Sequence, residues 1–339
     1  MISFTYFLLC LVCIIKFTYC YKSGHLVIIS HGLMGWSVDL TVLQGMLEER
    51  GCVVLLSRSN EYRQSLKGVE KGAYDLRNEI LTFLGSEHNF SQISFVGNSL
   101  GGLFMRNALK LMHENDDFYS LGLQPHKFMT VATPHLGVHD YNFLSENNLP
   151  VPPPFIVKLF SRLMYQSGED LLSTGNASLL YRMSTDEQWL APLRLFRERR
   201  LYANLNLDFV VPLGTAAFLS KTETKYYRDT YRNEYGIVAT LNATTAEDTC
   251  EPDSADKQHL VDMICSLNSV GWEKVLVHFR GVLPLAHNKI CSLWRRPHFL
   301  TNGLLGFSQG RPVMEHAADW IAATDTAAVA VTVISDDVQ

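Results

Sequence analysis

The stretch ISFVGNSLGGLFMRNAL, residues 93–109, determines how the rest of the sequence is interpreted. Residues 93–96 form a strand-like run, and the residues after position 99 carry apolar side chains at helical spacing. Between them lies Gly97-Asn98-Ser99-Leu100-Gly101, a Gly-x-Ser-x-Gly pentapeptide. Such pentapeptides are common by chance, but between a strand and a helix one predicts a sharp turn that presents a reactive serine. We therefore predict that Ser99 is a nucleophile, the alternative being a simple helix N-cap.

The flanking segments repeat this alternation of strand and helix. Buried strands are predicted at 25–30, 52–56, 93–96 and 128–132, with helices at 39–50, 69–84 and 99–112 between them. Two further strands are predicted at 200–205 and 272–279. Strands that alternate with helices of ten or more residues are typical of an α/β protein with a mostly parallel sheet covered on both faces.

Two insertions and two ends complete the predicted organisation. The main domain is predicted to span 23–321, with a helical cap at about 139–199 and a polar insertion at about 222–266. The cap holds a proline cluster at 150–154 and an amphipathic stretch at 155–164, which shapes an acyl pocket or, alternatively, extends the core. Residues 322–339 are a tail with no assigned role.

Acyl transfer requires two N–H donors that face the developing oxyanion. The residue after the nucleophile, Leu100, is predicted to supply one. The first strand ends at His31-Gly32-Leu33-Met34-Gly35, and we predict the Leu33 N–H as the second donor, with Met34 as the fallback. His31 and Met34 are predicted to contact the binding site, with His31 bracing the turn.

An acid and a base are expected after later strands, in the order Ser, Asp or Glu, His. Asp208 follows the strand at 200–205 and is preferred to the acidic residues of the polar insertion, Asp248 and Asp253. His287 follows the last strand and is predicted to lie in a loop, where it can face the serine. His316, within a helical pattern at 313–321, is the alternative base.

The first 22 residues are almost wholly apolar and predict a leader. A secretory signal peptide, a membrane anchor and an intracellular start segment are the alternatives, because no basic residue precedes the short apolar run. Of the four cysteines in the body, Cys250 and Cys265 are the preferred disulfide pair, with free thiols as the alternative. Sequons at Asn89, Asn176 and Asn242 agree with a secretory or membrane-associated location.

Several of these segments together resemble the serine esterase and lipase family that includes yeast and plant lipase-like proteins of the α/β-hydrolase superfamily. The resemblance implies an α/β-hydrolase fold, hydrolysis of acyl esters including lipids, no cofactor, and a triad at Ser99, Asp208 and His287. Asn98 departs from the family, which usually has His before the serine. The matching segments are VIISHGLMGWSVDL (27–40), KGVEKGAYDLRNEI (67–80), ISFVGNSLGGLFMRNAL (93–109), FMTVATPHLGV (128–138), YANLNLDFVVPLGTA (202–216) and AHNKI (286–290).

The net charge of −5 and the lack of a long basic block argue against a nucleic-acid partner. We predict no metal site. The expected partners are a small acyl ester or lipid and, through the leader or cap, a membrane surface. An acyltransferase or thioesterase with the same triad is one alternative function, and an inactive binding module with the same fold is another.

Overall fold

The computed structural model describes residues 24–86, 90–141, 164–242, 256–297 and 299–323. The predicted leader (1–22), the tail from 324, the proline cluster and Cys250 lie outside these residues. So do Asn89, Asp248, Asp253 and all of the 155–164 stretch except Met164.

A seven-stranded sheet forms the centre of the molecule, in the order β2-β1-β3-β4-β5-β7-β6. All neighbouring strands are parallel except β6, which runs antiparallel to β7 at the edge of the sheet. The strands are β1 His25–Ser30, β2 Val53–Leu56, β3 Gln92–Asn98, β4 Gln124–Val131, β5 Glu198–Asn204, β6 Gly236–Leu241 and β7 Glu273–His278.

Helices connect the strands and cover both faces of the sheet. They are α1 Thr41–Glu49, α2 Val69–Leu84, α3 Leu100–Glu114, α4 Tyr165–Leu172, α5 Leu179–Thr185, α6 Glu187–Arg194, α7 Lys221–Thr230, α8 Gln258–Asn268, α9 Ala286–Ile290 and α10 Arg311–Ala322. One-turn helices lie at Asp117–Ser120 and Leu213–Ala216, 3₁₀ turns at Ser37–Leu40, Tyr62–Leu66 and Phe307–Gly310, and a π-helix at Phe299–Leu304. No helix among the described residues is both long and apolar enough to cross a membrane.

Each face of the sheet packs against its own apolar core. Within β1, Leu26 and Ile28 belong to the core under α2 and α3, whereas Val27 and Ile29 belong to the core under α1 and α10. This explains why β1 is an uninterrupted apolar run, since side chains alternate in direction and both directions are buried.

The described part of the predicted cap interval, residues 164–199, contains three helices, which lie in two different places. Helices α5 and α6 pack into the core beside α3, where Met183, Trp189 and Leu193 are buried. Helix α4 instead covers the carboxyl edge of the sheet. The two interpretations of the cap concern residues 155–164, of which the structure describes only Met164, so both stay predictions.

The polar insertion is more regular than its composition suggested. It contains α7, the edge strand β6 and α8. The sequence of β6, GIVATL (236–241), is itself a mostly apolar run, and it was missed because polar segments flank it on both sides.

The carboxyl ends of the parallel strands lie at one edge of the sheet, which is where ligands bind in open α/β folds. Loops that follow β1, β3, β5 and β7 therefore meet there, and they carry the predicted site residues.

Candidate active site

Ser99 occupies a strained turn between β3 and α3. Its backbone has φ 55° and ψ −130°, outside the regions that ordinary residues favour, and its N–H donates to the Val131 carbonyl at 2.8 Å. The turn requires glycine at 101, because a Cβ there would collide with the carbonyl oxygens of Ser30 and His31. Strain of this kind is typical of functional sites, where the surrounding structure enforces it.

The three residues predicted as a triad lie in one hydrogen-bonded chain. The Oγ of Ser99 is 3.0 Å from Nε2 of His287, and Nδ1 of His287 is 3.1 Å from Oδ2 of Asp208. Ser99 and Asp208 are buried, and 13% of the His287 side chain is exposed. The arrangement permits His287 to accept the Ser99 proton while its other nitrogen donates to the carboxylate.

The Asp208 carboxylate is held by four donors. Its Oδ1 accepts from the backbone N–H groups of Val210 and Val211 at 3.0 and 2.8 Å. Its Oδ2 accepts from Nδ2 of Asn204 at 2.6 Å in addition to His287. These donors fix the position of the carboxylate, so Asp208 is suited to orient a histidine.

His287 lies in the short helix α9 and not in a loop, which corrects the sequence-based expectation. The helix begins directly after Leu285, whose backbone forms an isolated antiparallel bridge with Asp208. This bridge keeps the two segments together, and a five-residue helix is too short for its sequence periodicity to be recognised.

The alternative base, His316, makes its hydrogen bond to a residue outside the Ser99–His287–Asp208 chain. It lies on α10, where its Nδ1 is 2.8 Å from the Tyr202 hydroxyl. Burial lowers the pKa of His316 below its usual value, and its ring packs edge-on against Tyr202. Its contacts are those of a packed side chain.

The loop after β1 approaches the nucleophile closely. A Cβ on Gly32 would lie 2.5 Å from Cβ of Ser99, so only glycine fits there. The Met34 N–H donates to Oγ of Ser65 at 2.8 Å and is therefore engaged, which favours Leu33 over Met34 as the second oxyanion donor. Leu100 is the first residue of α3, where N–H groups lack helical partners.

His31 is buried and braces this loop. Its Nδ1 is 3.0 Å from the Gly32 carbonyl, and burial lowers the pKa of its imidazole, which favours the neutral ring at pH 7. Its Nε2 and the Oδ1 of Asn98 are buried with no hydrogen-bond partner among the described residues. Both residues line the cavity described next, so both atoms are candidate acceptors for a bound molecule.

A cavity of about 480 Å³ opens above Ser99. Its wall is mostly apolar and combines the loop after β1, the loop after β4, helix α4 and the residues after Asp208. The apolar lining residues are Leu33, Met34, Leu100, Pro134, Val138, Met164, Leu171, Leu172, Phe209, Val210, Val211 and Leu293. Long acyl groups fit a wall of this composition. Among the described residues, no three His, Cys, Asp or Glu side chains are grouped to hold a metal ion.

Three supporting groups were not identified from the sequence. Asn204 ends β5, and a polar residue at the end of an apolar strand was a usable signal. Asp39 binds Arg295 through two hydrogen bonds of 2.6 Å and joins the loop after β1 to the segment after α9. Ser65 is a serine in a polar turn, and nothing in the sequence distinguishes it from its neighbours.

The cysteines are only partly described. Cys265 is disulfide-bonded, whereas Cys52 and Cys291 are free and buried. The predicted partner, Cys250, lies outside the described residues, so the pairing stays a prediction.

The chain has the predicted α/β-hydrolase fold, a mostly parallel sheet with helices on both faces. The chain belongs to the family described as Putative serine esterase (DUF676), which matches residues 21–222. That match includes Ser99 and Asp208 and ends before His287.

The relatives include two yeast proteins. The Schizosaccharomyces pombe protein named Putative lipase C4A8.10 is 28% identical over 264 residues, covering 70% of this chain and 32% of its own length. The Saccharomyces cerevisiae protein named Putative lipase ROG1 is 30% identical over 210 residues, covering 58% of this chain and 29% of its own. The chain thus spans about a third of these relatives.

Solved structures with a similar fold include an arylesterase, with a TM-score of 0.43 at 12% identity over 89% of this chain and 76% of that one. Aspergillus fumigatus lipase B has a TM-score of 0.39 at 14% identity, covering 57% of this chain and 41% of that one.

Proposed function

We propose that the protein is a serine esterase that hydrolyses acyl esters, including lipids, through Ser99, His287 and Asp208. The observation that carries the proposal is the continuous hydrogen-bond chain from Ser99 Oγ through His287 to Asp208. Family membership supports the reaction class, and the apolar cavity supports an acyl substrate.

In the proposed reaction, Ser99 Oγ attacks the ester carbonyl while Nε2 of His287 takes its proton. The Leu33 and Leu100 N–H groups stabilise the oxyanion. The bond to the leaving alcohol then breaks, and His287 returns the proton to that alcohol. Water, deprotonated by His287, releases the acid from the acyl-enzyme.

The test combines a fluorophosphonate probe with nitrophenyl esters of short and long acyl chains. The wild-type protein should be labelled and Ser99→Ala should not. Ser184→Ala serves as a matched control, because Ser184 is a buried serine in α5 that does not line the cavity. Persistent labelling of Ser99→Ala would refute the nucleophile, and no hydrolysis at any chain length would refute the esterase.

An acyltransferase or thioesterase would form the same acyl-enzyme. Only analysis of the products can distinguish these second candidates from an esterase. An inactive binding module is disfavoured by the 3.0 Å contact between Ser99 and His287. Adding glycerol or a thiol acceptor to the assay distinguishes transfer from hydrolysis by the product formed.

We also propose that the rim of the cavity contacts a membrane surface. Phe209 and Val210 line the cavity and Trp36 and Val38 line an adjoining groove, and these four apolar side chains are 44–55% exposed. Aromatic and aliphatic side chains at such positions suit the boundary between headgroups and acyl chains. Arg296 lies in the same groove as Trp36 and favours anionic lipids.

Flotation with vesicles of phosphatidylcholine and phosphatidylserine tests this rim. Trp36→Ala with Phe209→Ala should reduce the bound fraction, whereas Tyr119→Ala should not. Tyr119 is 90% exposed but precedes β4, at the opposite edge of the sheet. Equal binding of all variants would contradict the proposal.

We propose a secretory or membrane-associated location. The Cys265 disulfide suits an oxidising compartment, and the sequon residues Asn176 and Asn242 are both exposed. Removal of N-glycans from the protein expressed in its own cells should increase its mobility on a gel. Unchanged mobility, together with a free thiol at Cys265, would favour an intracellular location.

A further inference from the structure

The loop that carries the Leu33 donor is held in an unfavourable backbone conformation. Met34 has φ 52°, in the left-handed region that costs a residue with a Cβ about 1 kcal/mol or more. Its N–H donates to Oγ of Ser65 at 2.8 Å, and that hydroxyl donates in turn to the Tyr62 carbonyl at 2.5 Å. The Tyr62 N–H donates to the Gly35 carbonyl at 2.8 Å. The 62–66 turn therefore fixes the loop at two points.

The same turn is held from its other side by the cap helix α4. The Ser167 hydroxyl donates to the Ser65 carbonyl at 2.6 Å and accepts from the Gly68 N–H at 3.0 Å. Asp170 accepts from the Val69 N–H at 2.8 Å, at the start of α2. Ser65 and Ser167 are fully buried, so water cannot readily replace these bonds.

Helix α4 presents a different face to the cavity. Gly168, Leu171 and Leu172 line the space above Ser99, whereas Ser167 and Asp170 face the 62–66 turn. Helix α4 thus lies between the acyl pocket and the 62–66 turn that holds the oxyanion loop. A molecule in the cavity contacts the very element that holds Ser65 in place.

We propose that Ser65 is a positioning residue through which the cap helix α4 sets the oxyanion hole. With α4 in place, Ser167 holds the 62–66 turn, Ser65 holds Met34 in its left-handed conformation, and the preceding Leu33 N–H faces the substrate. This inference rests on the proposed esterase function only for its kinetic consequence. The structural coupling between Ser167 and Met34 is independent of any activity.

Hydrogen exchange measured by mass spectrometry with residue-level fragmentation tests the coupling in the full-length protein. Ser65→Ala removes the acceptor of the Met34 amide, and Ser167→Ala removes only the support from α4. Both variants should speed exchange of the Met34 amide by about 10-fold or more, with core amides of α3 unchanged. Ser184→Ala, the matched buried serine, should leave Met34 at the wild-type rate.

Nitrophenyl ester kinetics give the second readout. Ser65→Ala should lower kcat about 10- to 100-fold with little change in KM, because a misplaced oxyanion donor acts on the transition state. The pH midpoint of kcat/KM should stay at the wild-type value, because the variant leaves the Ser99–His287–Asp208 chain intact.

Wild-type Met34 exchange in Ser167→Ala would overturn the coupling, as would unchanged kcat in an active Ser65→Ala enzyme. A general rise in exchange that includes α3 would also overturn it, since that is the signature of global destabilisation. An inactive wild-type protein would refute the esterase proposal, while the exchange data would still decide the coupling.

Discussion

Replacement of Gly32 by Ala tests how much the close contact between the loop after β1 and Ser99 contributes to activity. The added Cβ would lie 2.5 Å from Cβ and 2.9 Å from Oγ of Ser99. Carbon atoms prefer separations of about 3.5–4 Å, so one of the two segments has to move by about 1 Å. Gly32 has no positive φ, and Ala can therefore adopt its backbone conformation.

The expected effect is on activity more than on stability. A shift of about 1 Å breaks the alignment of Ser99 Oγ with His287 and with the oxyanion donors, and displacements of that size cost about 10²-fold in rate. We therefore expect kcat/KM for nitrophenyl esters to fall about 10²-fold, equivalent to about 2.7 kcal/mol of transition-state stabilisation. Labelling of Ser99 by a fluorophosphonate should slow in parallel.

Gly45→Ala is the matched control. Gly45 lies in α1, and a Cβ there would meet no atom within 4 Å. It should keep wild-type activity and gain about 0.5–1 kcal/mol in free energy of unfolding, because Ala is the better helix former. Wild-type kcat/KM in a folded Gly32→Ala protein would refute the steric reasoning.

Two further changes test the acid and a buried lysine. Asp208→Asn should lower kcat about 10⁴-fold at an intact fold, because an amide NH₂ would face either the two backbone donors or the Asn204 and His287 donors; kcat near the wild-type value would contradict this, and circular dichroism checks the fold. Burial lowers the pKa of Lys274 to about 7 from 10.5, and its ammonium contacts the Phe218 ring at 4.3 Å. Between these pH values the unfolded chain binds more protons than the folded protein, so the free energy of unfolding rises with pH. Lys274→Met should therefore stabilise by about 5 kcal/mol at pH 6 and by progressively less towards pH 10, measured by denaturant unfolding, whereas a pH-independent difference would argue against burial of the charge.

The strands and helices that bury both of their faces or one clear stripe were predictable from the sequence. Strand β1 and helix α2 have the bounds that their apolar patterns indicated, since β1 is buried throughout and α2 buries one clear face. The edge strand β6 was missed although its sequence, GIVATL, is mostly apolar, because polar segments flank it and the whole interval was interpreted as a polar insertion.

The site residues that follow the carboxyl ends of parallel strands were predictable, because strand direction alone determines where they lie. Ser99, Asp208 and His287 each follow a parallel strand, and such ends meet at one edge of the sheet. The helix at His287, the donor Asn204 and the support from Ser65 depend on contacts between segments distant in sequence, which no local pattern encodes. The Ser65–Ser167 bond joins residues 102 positions apart.

Ser99 and His287 lie 188 positions apart in the sequence, which has a consequence for how the proposed activity arises during synthesis. Strands β1 to β5 can be complete while the segment that carries the histidine is still being made. The serine then sits on its strained turn without a base, and the growing chain cannot acylate itself with cellular esters. In the proposed mechanism, reactivity begins only when β7 joins β5 and brings α9 to the sheet edge, so probe labelling of nascent chains would report completion of the sheet.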